Sequence, residues 1–220
     1  MKTGLPADLA DLTARYAPPA GRHVRGGMVL SADGGTSHGD TSGALSTPTD
    51  QAVFQVLRSH ADVVLVGAGT ARAEGYGPVE LPAEHRARRI AEGRPADPPL
   101  ALVTHSLNVP AKALPGAIVI AVGADGTADL PDVIAVPDLR TALDGLAERG
   151  LTRVLCEGGP RLLGDLLAAD LLDELCTTVS PRLVGRSAGI IGVDLAAPVD
   201  LTLEHLLEHD GTLLLRWRVG

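Results

Sequence analysis

Aromatic side chains are nearly missing from this chain: Tyr16, Phe54, Tyr76 and Trp217 make up 2% of its 220 residues. A core must therefore come from Leu, Val, Ile and Ala. The stacking platform that grips single-stranded nucleic acid is excluded. Cysteine is scarce as well. Cys156 and Cys176 are too few for a disulfide framework and read as small buried strand residues. Basic charge is in deficit, with 19 Lys and Arg against 27 Asp and Glu and a net charge of −8. That argues against general affinity for polyanions and leaves room for a local basic pocket. No apolar run approaches the roughly 20 residues that span a bilayer. No continuous apolar stretch follows Lys2, so no secretory signal is read. These absences lead us to expect a cytoplasmic protein with a small-molecule ligand and neither nucleic acid nor membrane as partner.

What is present is a 45% hydrophobic chain with regular alternation of strand and helix patterns. Residues 1–22 read as a loose arm, with a short helix over 6–16 ended by Pro18-Pro19. Residues 23–220 read as one domain. Strands are expected at 24–32, 63–66, 100–104, 118–122, 133–136, 153–156 and 174–179. The continuous apolar character of 63–66, 100–104, 118–122 and 133–136 suits a parallel sheet covered on both faces. Helices are expected from Pro48, with Thr47 as cap and Asp50 in the first turn, and over 140–149 and 162–169. This alternation predicts an α/β fold with a mostly parallel, doubly wound sheet. At the end of the chain, runs at 201–207 and 212–219 flank Asp210-Gly211 and predict an antiparallel C-terminal hairpin. Residues 82–98 read as a surface excursion. Arg86, Arg88, Arg89 and Arg94 read as exposed charge, with a phosphate-facing flap as the lesser alternative.

Two apolar runs stop at glycines and hand over to a helix start: Val66-Gly67-Ala68-Gly69-Thr70 and Cys156-Glu157-Gly158-Gly159-Pro160. Bare backbone N–H groups at a helix N-terminus favour an anion. The first turn fails the dinucleotide pattern G-x-G-x-x-G, because Arg72 holds its last position. It is either a phosphate- or nicotinamide-contacting turn, with Thr70 offering a hydroxyl, or a tight turn using glycine for backbone freedom. The second turn is sharper. Its carboxylate ends a strand in the crevice where α/β proteins bind ligands, and two glycines allow a pyrophosphate close to the backbone. A helix-capping carboxylate would explain Glu157 but not both glycines. Asp33, after the first strand, lies either in the same crevice as a candidate catalytic acid or in a plain Asp-Gly-Gly turn. Arg58 either reaches an anionic substrate or is a solvated helix arginine. His205-Leu206-Leu207-Glu208-His209 matches an inverted zinc-protease signature, but a turn follows at once and no third ligand lies beyond, so the match is read as coincidence.

The ordered set Ser31-Ala32-Asp33-Gly34, Leu57-Arg58-Ser59, Val66-Gly67-Ala68-Gly69-Thr70 and Glu157-Gly158-Gly159-Pro160 resembles the pyrimidine reductases of riboflavin biosynthesis. Those enzymes share the dihydrofolate reductase fold. The segment from Ala71 to Pro78 resembles their stand-alone actinobacterial members, and the zinc-binding deaminase half of bifunctional members is not seen here. The resemblance implies a reductase domain over 23–220, a homodimer, and NADPH as hydride donor. Its implied substrate is 5-amino-6-(5-phosphoribosylamino)uracil, whose ribosyl group becomes ribityl. It places Glu157, Ser42 and Arg58 at the substrate. Thr70, Glu74 and the backbone of Val29 fall on the cofactor, with Gly67 and Gly69 in the first turn. Gly158, Gly159, Pro160, Arg161 and Leu162 form the pyrophosphate loop, and Thr104 and Ser106 hold the adenosine 2′-phosphate. By analogy with dihydrofolate reductases, the Gly158–Gly159 peptide is expected to be cis. Two cations of many bifunctional members fall on Gly27 and near Leu81 here. Anion binding is then left to Arg58, with Arg72 or the arginines of 86–94 as substitutes.

The expected chemistry is hydride transfer from the dihydronicotinamide to an imine-like carbon, with Glu157 assisting proton delivery. Three rivals stay open. One is a reductase of another heterocycle such as a pterin or dihydrofolate, disfavoured because dihydrofolate reductases place an acid near the position of Phe54. The others are a catalytically silent NADPH-binding protein and an NAD-linked dehydrogenase. All of this requires the two glycine-led turns to converge in space.

Overall fold

Alternate residues of the apolar runs enter two different cores. Val63 and Leu65 pack with Val103, Ile120, Leu146 and Leu163, whereas Val64 and Val66 pack with Val53, Val56, Leu57 and Leu102. A strand with both faces buried can be apolar at every position, and such strands belong in the middle of a layered α/β sheet. The computed structural model describes residues 9–124, 130–185 and 187–220.

The strands are β1 (His23–Ser31), β2 (Val63–Gly67), β3 (Leu100–Thr104), β4 (Ile118–Val122), β5 (Val133–Val136), β6 (Arg153–Cys156), β7 (Glu174–Ser180), β8 (Leu201–His209) and β9 (Thr212–Val219). They form one sheet in the order β5-β4-β3-β2-β6-β1-β7-β9-β8. The pairings from β5 across to β7 are parallel, and β9 and β8 add as an antiparallel ribbon. Asp210 and Gly211 close that ribbon at φ 49° and 76°. Those are the left-handed values a two-residue hairpin turn needs, which Asp-Gly supplies at little cost. The histidines of the H-x-x-E-H stretch lie on β8, not on a helix.

The helices are α1 (Leu9–Arg15), α2 (Pro48–His60), α3 (Ala68–Ala73), α4 (Ala83–Ala91), α5 (Leu139–Glu148) and α6 (Pro160–Ala168). Helices α5 and α6 cover one face of the sheet, and α1, α2 and α3 the other. Thr47 Oγ1 accepts the Asp50 amide at 3.1 Å, and Pro48 takes the first helical position of α2, as its missing N–H allows.

Two expectations need correction. Residues 9–16 are not a loose arm: Leu12 and Tyr16 are buried in the α2-side core, and the His60 ring bonds the Thr13 carbonyl at 2.9 Å. The first eight residues of the expected arm lie outside the described residues. Residues 82–98 are not simply a surface excursion either. They carry α4, and Arg89 is 1% exposed. Its guanidinium donates to the carbonyls of Ser59, Ala61 and Pro95, while Arg94 donates to those of Ser59, His60 and Ala61. The carbonyls at the end of α2 have no helical partners, and the macrodipole there favours cations. Composition shows the charge but not the helix end it serves.

Candidate active site

Strands β2 and β6 are parallel neighbours, with Leu65 paired to Cys156. Their carboxyl ends therefore lie side by side, and the two glycine turns meet. The Glu157 amide donates to the Leu65 carbonyl at 2.9 Å, and the Gly67 amide to the Gly158 carbonyl at 2.9 Å. Helix α3 opens after Gly67 and α6 after Gly159, neither with a side-chain cap. The Gly158–Gly159 peptide is cis. A Cβ on Gly159 would stand 2.4 Å from Thr70 Oγ1, so only glycine lets the two helix starts approach this closely.

Two cavities open on this junction. The wider, of about 510 Å³, lies over β1, β7 and α2 and includes Val29, Ser42, Phe54, Tyr76 and Glu157. The other, of about 430 Å³, runs from Gly67 and Gly69 past Thr104 and Ser106 to Arg161. Thr70, Gly159 and Pro160 line both, so together they form one cleft across the carboxyl ends of the strands. This is the crevice where open α/β sheets bind ligands.

Glu157 sits at the junction, 6% exposed. Arg58 Nε donates to its Oε1 at 2.6 Å and Arg58 Nη2 to Oε2 at 2.8 Å. Tyr76 Oη donates to Oε2 at 2.8 Å. The guanidinium also lies 4.4 Å from the centre of the Phe54 ring. Burial alone would lower the Arg58 pKa, but the Glu157 carboxylate more than reverses this and raises it. Burial, then the Glu157 charge, lifts the Tyr76 hydroxyl well above its ordinary range and keeps the proton on Oη. Glu157 is thus the acceptor in each of these contacts.

The structure gathers most of the sequence-derived candidates. Val29, Ser42 and Glu74 line the wide cavity, where Glu74 Oε1 accepts the Ser42 amide at 2.7 Å. Glu74 thereby fixes the loop that carries Ser42. Gly67, Gly69, Thr104, Ser106, Arg161 and Leu162 line the second cavity, and Gly158 closes the junction through its carbonyl. Arg58 is neither solvated nor free for an anion, being committed to Glu157. Arg72 lines the second cavity and donates to the Asn108 carbonyl, whereas Arg89 and Arg94 serve the end of α2. Gly27 lines the wide cavity without a side chain, and Leu81 is buried outside both cavities.

Asp33 is a correction. It is exposed and lines neither cavity. Its carboxylate accepts the Ser31 hydroxyl at 2.5 Å and the Gly185 amide at 2.8 Å, and these bonds lower its pKa. It is a turn residue that holds the 184–185 backbone, because Asp after a strand readily satisfies nearby amides. Tyr76 and Phe54 were missed as site residues. Their signal was rarity, since three of the four aromatics of the chain, these two and Tyr16, line the wide cavity.

A family model described as the RibD C-terminal domain matches residues 22–215. A 2,5-diamino-6-ribosylamino-4(3H)-pyrimidinone 5′-phosphate reductase from Archaeoglobus fulgidus is 25% identical over 156 residues, spanning 64% of this chain and 71% of that protein. A pyrimidine reductase-like protein from Corynebacterium diphtheriae superposes with a TM-score of 0.78 at 26% identity, over 90% of this chain and 92% of that one. Dihydrofolate reductase from Enterococcus faecalis, solved with NADP(H), shares the fold at a TM-score of 0.56 and 10% identity, over 90% and 96% of the two chains.

Proposed function

The chain belongs to the RibD C-terminal domain family, and from that premise we propose that it is an NADPH-dependent reductase of riboflavin biosynthesis. Its substrate on this reading is a 5-amino-6-ribosylaminopyrimidine 5′-phosphate, whose ribosyl group is reduced to ribityl. The observation that carries the proposal is the continuous cleft, with two uncapped helix starts at its middle and a triply bonded carboxylate beside them.

The residues suit such a cofactor. The amides at the start of α6 have no side-chain cap and lie where glycine leaves the backbone bare, a fit for a pyrophosphate. Thr104, Ser106 and Arg161 offer hydroxyls and a cation along the second cavity for the phosphorylated ribose. Val29 would border the nicotinamide in the wide cavity. When bound, NADPH supplies the hydride from its dihydronicotinamide ring. The protein supplies placement and electrostatics. Arg58 and Tyr76 fix both oxygens of Glu157, so its remaining lone pairs have set directions toward a substrate donor near the reacting carbon. Met28, Val53, Phe54 and Leu214 give the same cavity apolar walls.

The test is NADPH oxidation, followed optically, with a ribosylaminopyrimidine phosphate as acceptor. Turnover is expected, together with rescue of a strain lacking this reductase step. A chain that binds NADPH but oxidises none with any pyrimidine offered would overturn the proposal, and tighter binding of NADH would revive a dehydrogenase.

A further inference from the structure

Asp50, Phe54 and Arg58 stand four residues apart on α2 and so share one stripe of the helix. Arg58 is committed to Glu157. Phe54 forms part of the cavity wall in the middle. Asp50 stands at the other end, about 12 Å along the helix axis from Arg58 at a rise of about 1.5 Å per residue. It lines the same cavity and is 8% exposed.

An acid in the first turn of a helix ordinarily reaches back to cap it. Asp50 does not. The cap is Thr47 Oγ1, while Asp50 Oδ2 accepts the Ser46 hydroxyl at 2.7 Å. Oδ1 has no hydrogen-bond partner among the described residues. Asp50 is mostly buried but lines the cavity, so its unpaired oxygen seeks donors from whatever fills that space, and an acceptor placed against it is repelled. The other charged residues lining the cavity, Asp40, Glu74 and Glu157, are acids too. The α2 end of the cavity therefore favours a ligand edge that donates.

Resting on the reading of the preceding subsection, we infer that Asp50 selects the base of the substrate and takes a 2-amino-4-oxopyrimidine in preference to a uracil. The N3–H and 2-amino N–H groups of the former are adjacent donors that one carboxylate can accept together. In uracil the C2 oxygen replaces the amino group and turns an acceptor toward Asp50. The ring would lie along Phe54, with the ribosyl carbon at the Glu157 end. The reaction that removes the 2-amino group by hydrolysis then follows this reduction rather than preceding it.

The experiment compares kcat/KM of the whole chain, with saturating NADPH, for 2,5-diamino-6-ribosylaminopyrimidinone 5′-phosphate and for its 2-oxo counterpart. The wild-type chain is expected to prefer the 2-amino ring at least tenfold. Asp50→Asn, which turns an amide donor toward C2, should lower kcat/KM for that ring by about 100-fold. It should also narrow or invert the preference while Tm and NADPH affinity stay put. A merely structural Asp50 would depress both substrates alike, and that result, or a wild-type preference for the 2-oxo ring, overturns the inference. Should Asp50→Asn fail to fold, the wild-type ratio decides alone. Turnover of the 2-oxo ring only would overturn this inference and leave the reductase reading standing, whereas turnover of neither would overturn both.

Discussion

A single carboxylate carries the argument at the residue scale. Glu157 was legible in the sequence because a glutamate before two glycines has no economical structural explanation. Its partners were not legible. Arg58 is 99 residues away along the chain and Tyr76 81, and nothing in either local pattern points to Glu157. Side chains so distant in sequence meet only because α2, α3 and β6 pack around one crevice. Glu157→Gln keeps an acceptor and the size of the side chain but removes the charge. It should cut kcat by about 100-fold or more while the dissociation constant for NADPH changes little, as steady-state kinetics and a binding titration will show. It also strands the Arg58 guanidinium, so a loss of about 3 kcal/mol in denaturant unfolding is expected alongside.

Turns and helix ends matter most among the elements. The starts of α3 and α6 touch through Thr70 and Gly159, and an alanine at 159 would meet Thr70 Oγ1 at 2.4 Å. Gly159→Ala should therefore push the two helix starts apart, weaken NADPH binding at least tenfold and cost about 1–3 kcal/mol of stability. Removing the obstacle should restore much of the stability: Thr70→Ala in the same chain leaves the nearest remaining Thr70 atom at 3.7 Å. A double-mutant cycle in urea will show the coupling, and additive effects would count against the contact. The end of α2 makes the complementary case. Arg89→Met keeps bulk but leaves the Pro95 carbonyl without its donor and the carbonyls of Ser59 and Ala61 to Arg94 alone. A loss of about 2–4 kcal/mol in unfolding free energy is expected, with kcat unchanged because both cavities are elsewhere.

At the scale of the whole molecule, stability should depend on mild acid through the seam between α1 and α2. Burial pushes the His60 pKa down from 6.5 to about 4. The unfolded chain therefore takes up a proton below pH 6.5 that the folded chain refuses until about pH 4, and stability is lost as pH falls through that window. A fall in Tm between pH 7 and 4.5 is expected, flattened in His60→Gln, which can still donate to the Thr13 carbonyl; parallel Tm–pH curves for the two proteins would contradict this. The β-strands, the C-terminal hairpin and both glycine turns were readable from the sequence, because apolar continuity, Asp-Gly and paired glycines act within a few residues of themselves. The burial of Arg89, the docking of α1, the diversion of Asp33 to a loop and the pairing of Arg58 with Glu157 were decided only by tertiary structure. Each depends on which distant backbone or charge the sheet order brings alongside, and a local pattern carries no record of that neighbour.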